Sequence, residues 1–180
     1  MSSWKRCKDF AYFAPRAVLA GLFMALLLVM ALGNFDFFEP YLYPLHLAQG
    51  NVVCYGSGVT IGHYPQMHEL ERLKRERGVD LDISLLNDDL PQEKALNNQL
   101  SQGAKRLGIE VRSFPLSYLG LESQENKKRI AELAEFVRSQ GARKMYIHCY
   151  LGRHRVAVVR DELVRRGLIP ATGTPQREGL

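Results

Sequence analysis

The chain has 180 residues and a formal charge of +5, enough for one domain with its own core plus a short extension. Lys5, Arg6, Lys8 and Arg16 against Asp9 supply +3 of that charge, and the small remainder excludes the basic footprint of a nucleic-acid-binding surface. Three cysteines, Cys7, Cys54 and Cys149, exclude a disulfide scaffold, and no close cysteine pair accompanies His63 and His68, which excludes a zinc finger.

Residues 1–16 form a basic leader. From Ala17 to Gly33 no residue is charged and none is Asn, Gln, Ser or Thr. An apolar run of that kind, extended by Phe35, predicts a single transmembrane helix over 17–35, near the short end of the roughly 20 residues a bilayer core requires. A cleaved signal peptide is the alternative, with the small residues of Ala31-Leu32-Gly33 at the cleavage site. Basic residues precede the run, whereas Asp36 and Glu39 follow it. The positive-inside rule then keeps the N-terminus cytoplasmic and sends the rest to the far, periplasmic or extracytoplasmic, side. Trp4, Tyr12 and Phe13 on one flank and Tyr41 and Tyr43 on the other suit the two interfacial belts. Residues 36–50, with Pro40 and Pro44, read as a linker.

From 51 to 169 short apolar runs alternate with helical patterns, and 170–180 reads as a tail. Asn51 to Tyr55 is a predicted strand closed by Gly56-Ser57-Gly58. A helix from Pro65 to about Arg77 follows, with Met67, Leu70 and Leu73 inward and Gly78 as its stop. Leu81, Ile83 and Leu85 alternate as a strand. Asp88 or Asp89 is the expected cap of a helix begun by Pro91 and ended by Gly108, with Leu96, Leu100 and Leu107 on one side. Ile109 to Phe114 is another short strand. Ile130, Leu133, Ala134 and Val137 stripe a helix from Ser123 to Gln140. Lys144 to His148 is the last strand, and Val156, Val159 and Leu163 line the last helix. Strands alternating with helices of this length predict an α/β fold: a mainly parallel central sheet flanked by helices, preceded by the membrane helix.

Chemistry concentrates in His148-Cys149-Tyr150-Leu151-Gly152-Arg153-His154-Arg155, between the last strand and the last helix. Ligands of open α/β sheets bind beyond the carboxyl ends of the strands. A loop entering a helix there turns its amides toward one point, a nest suited to phosphate. Gly152 lets the loop bend tightly, and Arg155 can return over it to hold two phosphate oxygens. Cys149 would feel the same amides and the guanidinium, an environment that lowers a thiol pKa from its usual value of about 8.5 and yields a nucleophilic thiolate.

This stretch resembles the signature loop of the cysteine-dependent protein tyrosine phosphatase superfamily: Cys, five residues, Arg, with His before and Gly third after the Cys, a pattern of its dual-specificity branch. The resemblance covers about residues 50–168, and because the chain ends soon after the last helix the domain is expected to be smaller than most relatives. It implies that Cys149 attacks phosphorus, that Arg155 binds the phosphate, and that amides from Tyr150, Leu151, Gly152, Arg153 and His154 to Arg155 complete the cradle. His148 would tune the thiol through the loop's hydrogen bonds. Two departures stand out. Val156 replaces the usual hydroxyl residue after the Arg, and no Asp lies between Asp89 and Asp161 to serve as general acid. Glu122, 27 residues before Cys149, is the candidate in its place, with Glu125 behind it. The resemblance also implies that a second cysteine, here Cys54, can form a protective disulfide with Cys149. Arg153 and His154 make the loop basic. The expected activity is phosphomonoester hydrolysis through a cysteinyl-phosphate, on phosphotyrosine and other phosphorylated protein first. A phospholipid phosphatase acting on phosphoinositides or phosphatidylglycerophosphate is the alternative, and a catalytically weak phosphate-binding module is the third reading. The thiolate requires no metal or organic cofactor, and expected partners are the substrate and the membrane, not nucleic acid.

Overall fold

The computed structural model of the chain describes residues 18–30, 49–56 and 58–175. Residues 18–30 form the first helix, α1, with every residue exposed. Its thirteen residues rise about 20 Å, against a hydrocarbon core about 30 Å thick. Among the described residues no helix is long and apolar enough to cross a membrane. That finding corrects the expected transmembrane helix over 17–35, and with it the membrane attachment and the far-side location that depended on it. The leader, most of the linker and the end of the tail lie outside the described residues.

The remainder is a six-stranded sheet with helices on both faces. In chain order its elements are β1 (Val53–Tyr55), β2 (Val59–His63), α2 (Met67–Arg72), β3 (Leu81–Ser84), α3 (Pro91–Arg106), β4 (Glu110–Ser113), α4 (Gln124–Ser139), β5 (Met145–Cys149), α5 (His154–Arg165) and β6 (Thr174–Pro175). The strand order is β4-β3-β5-β2-β1-β6. The first four in that order are parallel, whereas β1 runs antiparallel to β2 and to β6. The sheet is therefore mainly parallel, as expected, with an antiparallel border at β1 and β6 that was not. The difference comes from Val59–His63, a fully buried strand that the residue pattern between the glycine turn and Pro65 does not announce. It is short, interrupted by Gly62, and joined to β1 by a tight turn through Gly58 at φ 85.

Strand alternation sorts the core into two layers. Leu81, Ile83, Met145, Ile147 and Cys149 face α4 and α5, where they pack with Leu133, Ala134, Val137, Val159 and Leu163. On the other face Tyr64, Leu70, Leu86, Leu96 and Leu100 form a second cluster between α2 and α3, and Tyr146 joins Val52, Leu73 and Val79. Helix α2 opens with a capping box, the Gln66 amide donating to Glu69 Oε2 at 2.8 Å. It continues as a wider turn over Leu73–Arg77 that ends at Gly78. Helix α4 starts at Ser123, whose hydroxyl accepts from the Asn126 amide. Neither Asp88 nor Asp89 caps α3, which begins after Leu90 without a side-chain cap. Asp88 instead accepts from Asn97 Nδ2 at 2.6 Å, and the Asn87 amide goes to Glu93 at 2.6 Å.

Helices α4 and α5 are laced at their outer ends by Glu162, which accepts from Arg165 and Arg166, while Arg166 also reaches Glu135 at 2.5 Å. Hydrogen bonds from Arg165, then Arg166, hold the Glu162 carboxyl well below its ordinary value of 4.5, at about 2, against the opposing effect of desolvation. A depressed carboxylate contributes stability that is complete above its unfolded pKa and is lost as the pH falls toward the folded one. The melting temperature is thus expected to fall between pH 4.5 and about 2, and the fall should be shallower in Glu162→Gln. Parallel Tm-against-pH curves for the two proteins would remove Glu162 from this role.

Candidate active site

The parallel strand β5 delivers Cys149 to the carboxyl end of the sheet, and the turn Tyr150–Arg153 leads directly into α5. Neighbouring backbone holds this turn from outside. The Tyr64 amide donates to the Tyr150 carbonyl at 3.1 Å, the Gly50 amide to the Leu151 carbonyl at 2.7 Å, and the Ala157 amide to the Arg153 carbonyl at 3.1 Å. Within a trans peptide unit the N–H points opposite to the C=O. Anchoring the Tyr150 and Leu151 carbonyls outward therefore turns the Leu151 and Gly152 amides into the loop, where an anion would meet them.

Gly152 is required here twice over. Its φ of 66 is left-handed, and a Cβ at this position would lie 2.6 Å from the His63 nitrogen and 2.8 Å from the Gly62 carbonyl carbon. Gly62 has a parallel role, since a side chain there would collide with the Tyr146 hydroxyl. That hydroxyl donates to the His63 carbonyl at 2.6 Å, and burial first, then the charges of Glu69, Asp82 and Cys149, keeps it firmly protonated. The His63 ring bridges the Gly50 carbonyl at 3.1 Å and Glu69 at 3.2 Å. Desolvation works against the Glu69 carboxylate, but its bonds to His63 and the Gln66 amide outweigh that and hold its pKa below the ordinary value.

Arg155 is buried at 4% exposure and meets Glu93 as a bidentate fork, Nη1 to Oε2 at 2.8 Å and Nη2 to Oε1 at 2.6 Å. Nη1 also donates to the Leu85 carbonyl at 3.1 Å and the Leu116 carbonyl at 3.4 Å. A guanidinium has five N–H groups. These partners occupy Nη1 and one hydrogen of Nη2, so Nε–H and the second Nη2 hydrogen are the edge available to an incoming oxyanion. Desolvation opposes the charge of Arg155, yet Glu93 and the adjacent Cys149 sulfur outweigh it and raise its pKa.

His148 lies on the opposite face of β5 from Cys149. Its Nε2 is 3.0 Å from Asp82 Oδ1, with both side chains fully buried. The ring stands edge-on to Tyr64 and stacked on Tyr146. The His148 carbonyl accepts from the Leu85 amide at 2.9 Å, just past the end of β3, and its ring is tied to Asp82 on the same strand.

A pocket of about 260 Å³ opens over these groups, lined by Leu90, Glu93, Tyr118, Cys149, Tyr150, Leu151, His154 and Arg155. The last five of these belong to the stretch that the sequence singles out. Glu93, Leu90 and Tyr118 do not. Glu93 carries a faint signal as an acidic residue in the first turn of a helix, but its partner is 62 positions away. The Arg153 side chain lies against Gly50 and lines a separate groove with Arg160. Glu122 is also elsewhere: its side chain is 82% exposed, pairs with Lys127 at 3.4 Å, and lines a groove with Arg165 and Arg166. Val156 is buried in the core below the loop.

Cys54 and Cys149 are both free thiols, and the topology keeps them apart. Cys54 is level with Thr60 and, through it, with Tyr146, three residues before Cys149 and two strands away. At about 4.8 Å between strands and about 3.3 Å per residue their Cα atoms are about 14 Å apart, twice the roughly 7 Å a disulfide tolerates. The expected Cys54–Cys149 bridge does not fit this fold.

Two substitutions test the frame. Glu93→Ala leaves Arg155 buried without its carboxylate and is expected to cost about 3–5 kcal/mol in urea unfolding; an unchanged midpoint would show that the pair is dispensable. Gly152→Ala, with a strained φ and an obstructed Cβ, is expected to cost about 2 kcal/mol or more and to abolish binding of inorganic phosphate measured by calorimetry.

No family model matches the chain, and no curated protein does. Among solved structures it is similar to the core catalytic domain of the PP-IP phosphatase SIW14 from S. cerevisiae, crystallised in complex with citrate, at 18% identity and a TM-score of 0.46, over 69% of this chain and 79% of that one. A likeness this distant transfers no function, which has to be read from the chemistry of the site itself.

Proposed function

We propose that the chain hydrolyses phosphomonoesters through a cysteinyl-phosphate intermediate, with aryl phosphates of the phosphotyrosine kind as the preferred class. The observation that carries this reading is the convergence of Cys149 and the Glu93-locked Arg155 on one pocket. In the first step the Cys149 thiolate attacks phosphorus in line with the ester oxygen, and the S–P bond forms as the P–O bond breaks. Arg155 Nε and Nη2, with the inward amides of Leu151 and Gly152, stabilise the charge on the equatorial oxygens. In the second step water attacks phosphorus and the sulfur leaves as thiolate.

The walls support the substrate class. Leu90, Tyr118, Tyr150 and Leu151 present apolar and aromatic surface around the nucleophile, which suits a flat ring better than a headgroup carrying several phosphates. Arg153 lines another groove, so the basic character of the loop is not gathered over the pocket as a polyphosphorylated lipid would require. Val156 favours a second reading, a phosphate-binding module with slow turnover, because a buried valine offers no hydroxyl to the departing sulfur.

Cys149→Ser is expected to reduce p-nitrophenyl phosphate hydrolysis to background while inorganic phosphate still binds. Arg155→Lys should lose both, since lysine offers a point charge where Glu93 and phosphate together require a fork. Equal turnover by wild type and Cys149→Ser would end the covalent mechanism, and binding without wild-type turnover would establish the module instead.

A further inference from the structure

Given the activity proposed above, cleavage requires a proton for the leaving oxygen unless the leaving group is already a stable anion. We propose that His154 is that proton donor, and that Tyr118 orients it. Of the titratable side chains that line the pocket, Cys149 is the nucleophile, and Glu93 and Arg155 neutralise each other in a buried fork. Tyr118 and Tyr150 carry phenols, a class too weakly acidic by about three pH units to supply a proton rapidly near neutrality. His154 remains, the one imidazole on the lining and the kind of side chain whose ordinary pKa lies nearest the working range.

Its position suits the role. His154 is the first residue of α5, next to Arg155, and is solvent-exposed at the mouth instead of buried in the loop. It shares the pocket with Cys149, the thiol coming from the end of β5 and the imidazole from the start of α5. The Tyr118 ring meets it edge to face, with centroids 5.8 Å apart and planes at 77°. This contact places the imidazole beside the Tyr118 ring at the pocket. Tyr118 comes from the loop between β4 and α4, which also carries Glu122. That loop therefore acts through an aromatic contact at one end while its carboxylate, four residues on, pairs with Lys127.

Protons and electron pairs balance over the two half-reactions. The His154 imidazolium gives its proton to the ester oxygen as the P–O bond breaks, releasing the free phenol and leaving a neutral ring. The neutral ring then takes a proton from the water that attacks the cysteinyl-phosphate. The S–P electron pair returns to sulfur, inorganic phosphate forms, and the imidazolium is restored. One ring thus serves both half-reactions.

Phenyl phosphate and p-nitrophenyl phosphate separate this role from others, because only the first has a leaving group that requires protonation. In the full chain, His154→Gln is expected to lower kcat/KM for phenyl phosphate by about 10²-fold or more and for p-nitrophenyl phosphate by less than about tenfold. Tyr118→Ala should show the same asymmetry more weakly, and Glu122→Gln should show none. Equal losses on both substrates in His154→Gln would reduce the residue to an anion contact and overturn the assignment. An asymmetric loss confined to Glu122→Gln would transfer the role to Glu122. If the wild type hydrolyses neither ester, the phosphatase reading itself fails, and this inference with it; if the wild type is active and His154→Gln is fully active on phenyl phosphate, only the inference fails.

Discussion

The buried fork between Arg155 and Glu93 is the constraint on which the site depends. A guanidinium removed from water is tolerable only beside an opposite charge with its hydrogen bonds met. Here the carboxylate comes from the first turn of α3 and the remaining acceptors from the carbonyls of Leu85 and Leu116. The single side chain therefore ties together the end of β3, the start of α3, the loop before α4 and the start of α5. The last three of these, with the turn after Cys149, are also the walls of the pocket. Glu93 accepts the Asn87 amide as well, so the loop between β3 and α3 is positioned by the residue that holds the arginine. The cation is thus held in place beside the Cys149 sulfur by contacts within the fold itself.

A second constraint is backbone against backbone. Gly152 and Gly62 bring the turn after Cys149 into contact with β2 with no side chain between them. The Tyr64 and Gly50 amides close on the carbonyls of the turn, and Tyr146 and His63 fill the space beneath. Amides held this way would not have to reorganise in the proposed reaction, which is the condition under which oriented dipoles contribute most to catalysis.

Much of this is legible in the sequence wherever the controlling contacts are local. The strand–loop–helix around Cys149, the glycine third after it and the arginine sixth are neighbours in the chain, and so are the stripe of α4 and the Ser123 cap. The hairpin strand Val59–His63 escapes because only Val59 and Ile61 alternate with polar positions before Gly62 interrupts a five-residue run. Glu93, Asp82 and Tyr118 escape because each meets its partner from 36 to 66 residues away, and nothing in their own surroundings distinguishes them from solvated residues. Spacing alone favours Glu122, and spacing does not determine which side of a loop a carboxylate occupies. The apolar run 17–33 is unmistakable in composition, but the helix described within it is too short for the role that composition suggests.

The two borders of the sheet have a consequence for the chain at high concentration. Along one border, β4 turns Glu110 and Arg112 outward, joined to each other at 2.7 Å, with Arg143 adding a second contact to Glu110 at 2.9 Å. Along the other, β6 is a two-residue strand that includes Pro175, a residue with no N–H to offer. A foreign strand approaching the first border must strip water from charges, and at the second it finds the ladder already missing a donor. Among the described residues both borders thereby oppose growth by strand addition, so crowding should favour separate molecules over edge-joined aggregates.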